Sequence, residues 1–484
     1  MGCSKDDDPG SSVPATGTRA QQTQDSLFLY AAQTYLWYDQ LPDYKTFDPR
    51  KYTGGSDIVN LRKELLALTQ YAVNPDTKRP YEFVSNTSDH AKYSFIEEAD
   101  GSASGRLGDL LEGTGNDYGF ALTAIGTSDI RVRYVIPGST ASVKGLVRGD
   151  QLLTLNGTTV NTSQVNQINA AFDSPTMTVS LRRKDGSTYN TTLTQGSYTT
   201  STLYKPATVL RSGNRVVGYF AMAAFSTLKN TQKELDAAFT TFAGAGVTDL
   251  IIDLRYNGGG YVETAQYLLD LIIPTSHHNA VSYVERYNKL MQEGKATILS
   301  KQLLRDGNND PVKYGNRYAT YADVDYSEAK NTYHFVKKGS LENVRSVCFI
   351  MTGASASASE LTANALRPYM DVKIIGSQSY GKPVGFFGIT IDKYTAYLSN
   401  FQISNSKGEG NYYNGLTPDI AAADDVTRDF GDSEETSIAT AMSYITTGLT
   451  TGGREETGRV MQFQHIGKAT PGFQGMIEQR IHLK

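Results

Sequence analysis

Cysteine is almost missing from this chain of 484 residues, which has only Cys3 and Cys348. Two such distant cysteines exclude a disulfide framework and any cysteine-based zinc cluster. Histidine is scarce too, six residues with none in HExxH spacing, so the sequence calls for neither a metal mechanism nor a cofactor. Neither sign of charge dominates: 46 basic residues stand against 50 acidic ones for a net charge of −4. That balance gives no electrostatic basis for a nucleic-acid partner. No apolar run approaches the roughly 20 residues that a membrane-crossing helix needs. The phosphate loops GxxxxGK[ST] and GxGxxG are absent, as is the GxSxG elbow of α/β-hydrolases. What is plentiful is tyrosine (31) and glycine (45), which suit a β-rich, loop-rich chain. The length predicts roughly two to four domains.

The composition divides the chain into five zones. Residues 1–25, opening MGCSKDDDPGSSVPATGTRA, are polar and Gly/Pro/Ser-rich, and read as a disordered tether. Cys3 so near the start, followed by Ser-Lys-Asp-Asp-Asp, resembles the lipid-bearing cysteine of a bacterial lipoprotein. That resemblance implies a membrane anchor through Cys3 and a place in the bacterial cell envelope, periplasm-facing or on the outer membrane. Residues 26–105 read as a small helical domain, with Leu27, Tyr30, Ala31, Tyr35 and Leu36 at helical spacing and a second helix over 58–73. Residues 106–198 are short strands and turns. There Tyr118-Gly119-Phe120, Pro137-Gly138-Ser139, Gly145-Leu146-Val147-Arg148-Gly149-Asp150 and Leu153-Thr154-Leu155-Asn156-Gly157 follow in an order that looks like a PDZ domain. In that family the loop here at Tyr118, Gly119 and Phe120 captures a peptide's terminal carboxylate, and the peptide adds as a strand.

Residues 199–448 alternate strands and helices, as a mixed α/β core does. A strand over 216–222 leads to an amphipathic helix over 231–242, and the buried strand Asp249–Leu254 runs into Arg255-Tyr256-Asn257-Gly258-Gly259-Gly260. Three glycines between a strand and a helix bring backbone N–H groups close to a ligand, as an oxyanion hole requires. Residues 274–342 are polar and weakly periodic, and His277-His278 there reads as solvated loop. Residues 449–484 are a polar, Gly/Arg-rich C-terminal extension.

The stretch organising the core runs from Ser346 to Gly388. The apolar run Val347–Met351 predicts a buried strand, ASASASE a turn, and Glu360–Leu366 a helix ended by Pro368; a second strand over 372–375 leads to Gly381-Lys382. A serine where a buried strand turns into a helix has an exposed hydroxyl with N–H groups beside it. Ser355, Ser357 and Ser359 are all candidates, with helix capping as their plainer role.

The order of these pieces (PDZ pattern, DLRYNGGG, SASASE, GK, then Asn414-Gly415-Leu416-Thr417-Pro418-Asp419) resembles the carboxyl-terminal processing peptidases, tail-specific serine proteases with a Ser/Lys dyad. The resemblance covers residues 106 to about 426. It implies a multidomain α+β protein whose mixed α/β core is ClpP/crotonase-like. It also implies serine endopeptidase activity on the C-terminal tails of polypeptide substrates. Carried over by position, it implies Ser357 as nucleophile, Lys382 as general base 25 residues later, and oxyanion donors among Ala358, Gly259 and Gly260. Three positions depart from the family: Pro383 follows the lysine, Phe386 stands where an orienting glutamine is usual, and Pro368 replaces an acidic residue. A relative that binds peptides in the envelope without cutting them is the alternative.

Overall fold

The computed structural model describes residues 13–98, 111–306, 310–450, 464–466, 475–478, 480 and 482–484. Cys3 lies outside them, and so does part of the expected N-terminal domain and of the C-terminal extension.

The chain is a mixed α/β protein. A six-stranded sheet orders β6 (Thr208–Ser212), β7 (Arg215–Ala221), β8 (Asp249–Asp253), β10 (Ser346–Met351), β11 (Asp371–Gly376) and β13 (Ile420–Ala421). The first pair is antiparallel and the others are parallel. Every residue of β8 and β10 is buried, as strands covered on both faces require. One face, with Phe220, Leu250, Ile252, Val347 and Phe349, packs under helices α4 (Leu228–Gly244), α5 (Val262–Ile272) and α6 (Ala358–Leu366). The other face, with Val217, Ile251, Cys348 and Ile350, is covered by α7 (Thr436–Thr447) through Ile438, Ala441 and Ile445. The strand period of two thus divides one sheet between two hydrophobic clusters.

Residues upstream of this core form two groups. Helices α1 (Arg19–Thr34) and α2 (Asp57–Thr69) bury Leu27, Phe28, Leu61 and Leu65 in the same cluster as the sheet's first face. The strand Phe95–Glu98 pairs antiparallel with β12 (Tyr394–Tyr397) of the core. Helix α1 starts inside the stretch read as a tether, which corrects that boundary. Thr18 caps it in a reciprocal box with Gln21, and Asp25, although charged, is buried against Arg50 at 2.6 Å and the Tyr44 hydroxyl at 2.6 Å. A polar first turn satisfied at long range gave no apolar period to read.

The second group has its own core. Strands β1 (Phe120–Ile125), β2 (Asp129–Val135), β3 (Gln151–Leu155), β4 (Thr176–Arg182) and β5 (Thr188–Thr194) form one sheet, and helix α3 (Val165–Asp173) packs on it through Ile168 and Phe172. The sheet also includes Thr158–Thr159, paired antiparallel with β3, and β14 (Gln464–Ile466), paired antiparallel with β1.

A buried ion cluster ties this group to the core. Arg255, at the end of β8, pairs with Asp253 (2.8 Å), Asp424 (2.7 Å) and Glu435 (2.9 Å); Arg148, from the loop before β3, reaches the same Asp424 at 2.5 Å. The two guanidiniums hold the Asp424 carboxyl well below the usual carboxylate range, although burial opposes them.

Candidate active site

The loop between β10 and α6 holds three serines, and hydrogen bonding separates them. Ser355 donates its hydroxyl to the Leu254 carbonyl at 2.7 Å, and Ser359 donates to the Asn257 carbonyl at 2.8 Å. Both staple the serine loop to the end of β8. Ser357 is fully buried, and its Oγ has no hydrogen-bond partner among the described residues. Its backbone is at φ 64°, ψ −113°, a conformation costly for a residue with a Cβ. A strained backbone presenting an unsatisfied hydroxyl is an arrangement that helix capping does not need.

The glycine loop lies against it. Asn257 fixes the turn, accepting the Gly259 N–H on Oδ1 at 2.9 Å and the Ala356 N–H on its carbonyl at 3.1 Å. The next strand, β9 (Gly259–Tyr261), begins here. Gly260 is at φ 139°, and a Cβ there would sit 2.0 Å from the Phe225 carbonyl oxygen, so no other residue fits. Of the expected oxyanion donors, Gly259 is already engaged by Asn257. Phe225 takes the Gly259 carbonyl (2.9 Å) and the Tyr261 N–H (2.8 Å), so alternation along β9 turns the Gly260 N–H to the opposite edge. Ala358 is the first residue of α6, where a helix leaves its N–H groups unpaired.

Lys382 follows β11 and is fully buried. Its Nζ is 4.3 Å from the centre of the Phe386 ring, 5.7 Å from that of Tyr93, and 3.4 Å from the Tyr93 carbonyl oxygen. Burial pushes its pKa from the ordinary 10.5 down to about 7, with Glu82 and Glu360 pulling the other way. Phe386, in the position of the family's glutamine, is part of the apolar cover that lowers this pKa.

Serine and lysine loops share one anchor, Glu360. Its carboxylate accepts the Ser357 N–H (2.8 Å), the Lys382 N–H (2.8 Å) and the Gly381 N–H (2.7 Å), together with the Ser379 hydroxyl. One buried side chain therefore sets both backbones relative to each other. Behind it, a Cβ on Gly381 would meet the Gly415 nitrogen at 2.4 Å, and Leu416 donates its N–H to Ser379 Oγ at 2.7 Å. The NGLTPD segment is thus the floor of the lysine loop.

Two contributors carried no sequence signal. Tyr93 offers a backbone carbonyl, which no side-chain pattern announces. Glu82 then holds that segment, accepting the N–H groups of Tyr93 (3.1 Å) and Ser94 (2.7 Å). Tyr118, Gly119 and Phe120 lie in the separate second core, and the Gly119 N–H is taken by Asp117 Oδ1 at 2.7 Å. Among the described residues no three His, Cys, Asp or Glu side chains gather as a metal site, and no helix is long and apolar enough to cross a membrane.

Comparison with known proteins places this geometry. Residues 216–422, which carry the glycine loop, Ser357, Glu360 and Lys382, match Peptidase family S41. That match covers less than half of the chain. The chain is 25% identical over 299 residues to the chloroplastic C-terminal processing peptidase of Tetradesmus obliquus, covering 57% of this chain and 54% of that protein. It is 23% identical over 291 residues to the carboxy-terminal processing protease CtpA of Bacillus subtilis strain 168, covering 59% and 52%. The chain thus spans about half the length of these relatives. A crystal structure of a Bacteroides fragilis protein assigned to the S41 proteases has the same fold, with a TM-score of 0.57 at 19% identity over 88% of this chain and 97% of that one. The family match and these relatives support a serine-type peptidase. The S41 segment begins well after Tyr93 and Glu82, so part of the lysine's environment comes from outside it.

Proposed function

We propose that this protein is a serine endopeptidase that cuts polypeptides with Ser357 as nucleophile and Lys382 as general base. The observation that carries the reading is the fully buried Lys382 under Phe386, its pKa near 7, locked to the Ser357 backbone through Glu360. A neutral amine at physiological pH can take the Ser357 proton as Oγ attacks a peptide carbonyl. The oxyanion then forms between the Gly260 and Ala358 N–H groups. The Lys382 ammonium returns the proton to the leaving amine, and the amine next deprotonates the water that hydrolyses the acyl-enzyme.

The pH dependence is the direct test. Cleavage of an unstructured polypeptide should rise with pH through a midpoint near 7, and Ser357→Ala should remove it at every pH. A midpoint below 5, or cleavage retained in Ser357→Ala, would assign the chemistry elsewhere.

Glu360 is a positioning residue in this scheme. Glu360→Gln replaces one acceptor oxygen with an amide donor facing N–H groups, and should cost about a hundredfold in kcat. It also removes an anion that favours the charged lysine, so the acid limb should move to lower pH. A purely structural role would lower the rate without moving the limb.

The second domain supports a PDZ reading, in which a substrate's C-terminal end adds beside β1 and is delivered to the cleft. Cys3 would carry a lipid and place the enzyme in the bacterial cell envelope. Cys3→Ala should then move the protein from the membrane to the soluble fraction, and unchanged fractionation would refute the anchor.

A further inference from the structure

The end of the chain lies in both places where the proposed substrate would lie. Strand β14 (Gln464–Ile466) is antiparallel to β1, with Gln464 opposite Ala124 and Ile466 opposite Leu122, and it runs beside α3. It adds as a strand to the edge that follows the Tyr118–Phe120 loop, and it advances toward that loop. Strand β15 (Gly475–Ile477) then enters the catalytic cleft. It runs parallel to β9, with Gly475 opposite Gly259 and the Gly475 N–H donating to the Gly258 carbonyl at 3.0 Å.

Its other edge is also occupied. Phe386, which covers the lysine, donates its N–H to the Met476 carbonyl at 3.2 Å, and Phe386 and Ile477 form a parallel bridge. The segment therefore bridges the glycine loop and the lysine strand. A Cβ placed on Gly259 would stand 2.4 Å from the Gly475 carbonyl oxygen and 2.9 Å from Ser357 Cβ, so these two atoms are neighbours. The Gly475 carbonyl lies on the edge to which β9 turns the Gly260 N–H.

Beyond the cleft the tail is fastened. Met476 is fully buried. Arg480 bonds the Tyr283 hydroxyl at 2.6 Å and Glu478 Oε1 at 3.0 Å, and lies 3.8 Å from the buried Glu285. The His482 carbonyl accepts the Asp325 N–H at 2.7 Å, and Lys484 donates its backbone N–H to the Asp323 carbonyl at 3.0 Å.

We propose that the C-terminal segment, through Gln464–Ile466 and Gly475–Ile477, occupies this protein's own substrate track, presents the Gly475 carbonyl to Ser357, and closes the cleft to other polypeptides until it is displaced. The proposal rests on the peptidase reading for its activity readout, though not for the tail's position. It also gives the substrate's binding mode: an extended strand held on both edges, with an apolar side chain after the presented carbonyl.

Two full-length variants test it. Arg480→Glu sets a third carboxylate beside Glu478 and Glu285, and Met476→Glu puts a charge where an apolar side chain is buried; each should free the tail. Turnover of reduced, alkylated casein should then rise about tenfold or more, because the open fraction multiplies the observed rate. A synthetic peptide of residues 464–484 should reverse the gain. Wild-type turnover in two folded variants, still abolished by Ser357→Ala, would overturn the plug and leave the peptidase intact. Hydrogen exchange decides the matter if no form is active. Slow exchange of the 464–466 and 475–477 amides in the wild type, made fast by Arg480→Glu, supports occupancy, whereas fast exchange in both overturns it.

Discussion

Lys382→Ala is expected to lower kcat by about 10²–10⁴-fold, the usual contribution of a positioned general base. The lysine cannot be replaced by an exposed amine, because its use depends on being neutral near pH 7. In this protein that state comes from burial, with the Phe386 ring 4.3 Å away and the Tyr93 carbonyl at 3.4 Å. Phe386→Gln should therefore leave the dyad in place while raising the pKa of Lys382, and the acid limb should move to higher pH. A limb that stays put would show that the ring does not control the base.

Stability should respond in the opposite sense. The folded protein holds Lys382 near 7, whereas the unfolded chain holds it near the ordinary 10.5, so the folded state binds fewer protons between these values. Folding thus bears the cost of a buried ammonium in full below about pH 7, and the cost vanishes as pH rises past 10.5. Lys382→Met should be more stable than the wild type by about 3–5 kcal/mol at pH 6, with the difference shrinking toward pH 10. Denaturant melts at three pH values measure this. A difference independent of pH would mean that packing, not charge, governs the site.

The second large effect is expected at the ion cluster. Asp424→Ala leaves Arg148 and Arg255 buried together without the carboxylate between them, and breaking such a cluster costs about 3–5 kcal/mol. Since Asp424 joins the second domain to the core, two transitions should replace one in thermal melts. The wild type has a matching pH dependence. The folded carboxyl titrates below its unfolded counterpart, so its contribution is complete above about pH 4 and is lost as pH falls. Asp424→Ala should flatten that acid limb of stability. A single transition at wild-type temperature would show that Glu435 and Asp253 suffice.

These effects follow from residues that differed greatly in how far the sequence revealed them. Strands β8 and β10 were legible because strands buried on both faces are continuously apolar. Helix α5 followed from the glycine turn, and the helix after ASASASE from its apolar spacing. The candidate serine and lysine stood out because a turn between strand and helix and a GK pair are local features. Choosing Ser357 on physical grounds needed the structure, since what disqualifies Ser355 and Ser359 is a pair of carbonyls about 100 residues upstream. Phe386 was visible only as a departure, because a ring lacks the hydrogen bonds that make a glutamine's role readable. Tyr93 and the tail strands stayed hidden because they act through backbone groups, which every residue type shares.

The contact between Lys382 and the Tyr93 carbonyl has a consequence for recombination. A gene fragment cut at the limits of the S41 segment would encode the serine, the lysine and the anchor between them, yet leave the amine facing water where Tyr93 had been. That fragment would hold its proposed base protonated at neutral pH, a latent module inherited whole in sequence and incomplete in acidity. Any lineage that moves this segment would have to carry the upstream residues around Tyr93 with it or bury the lysine by other means.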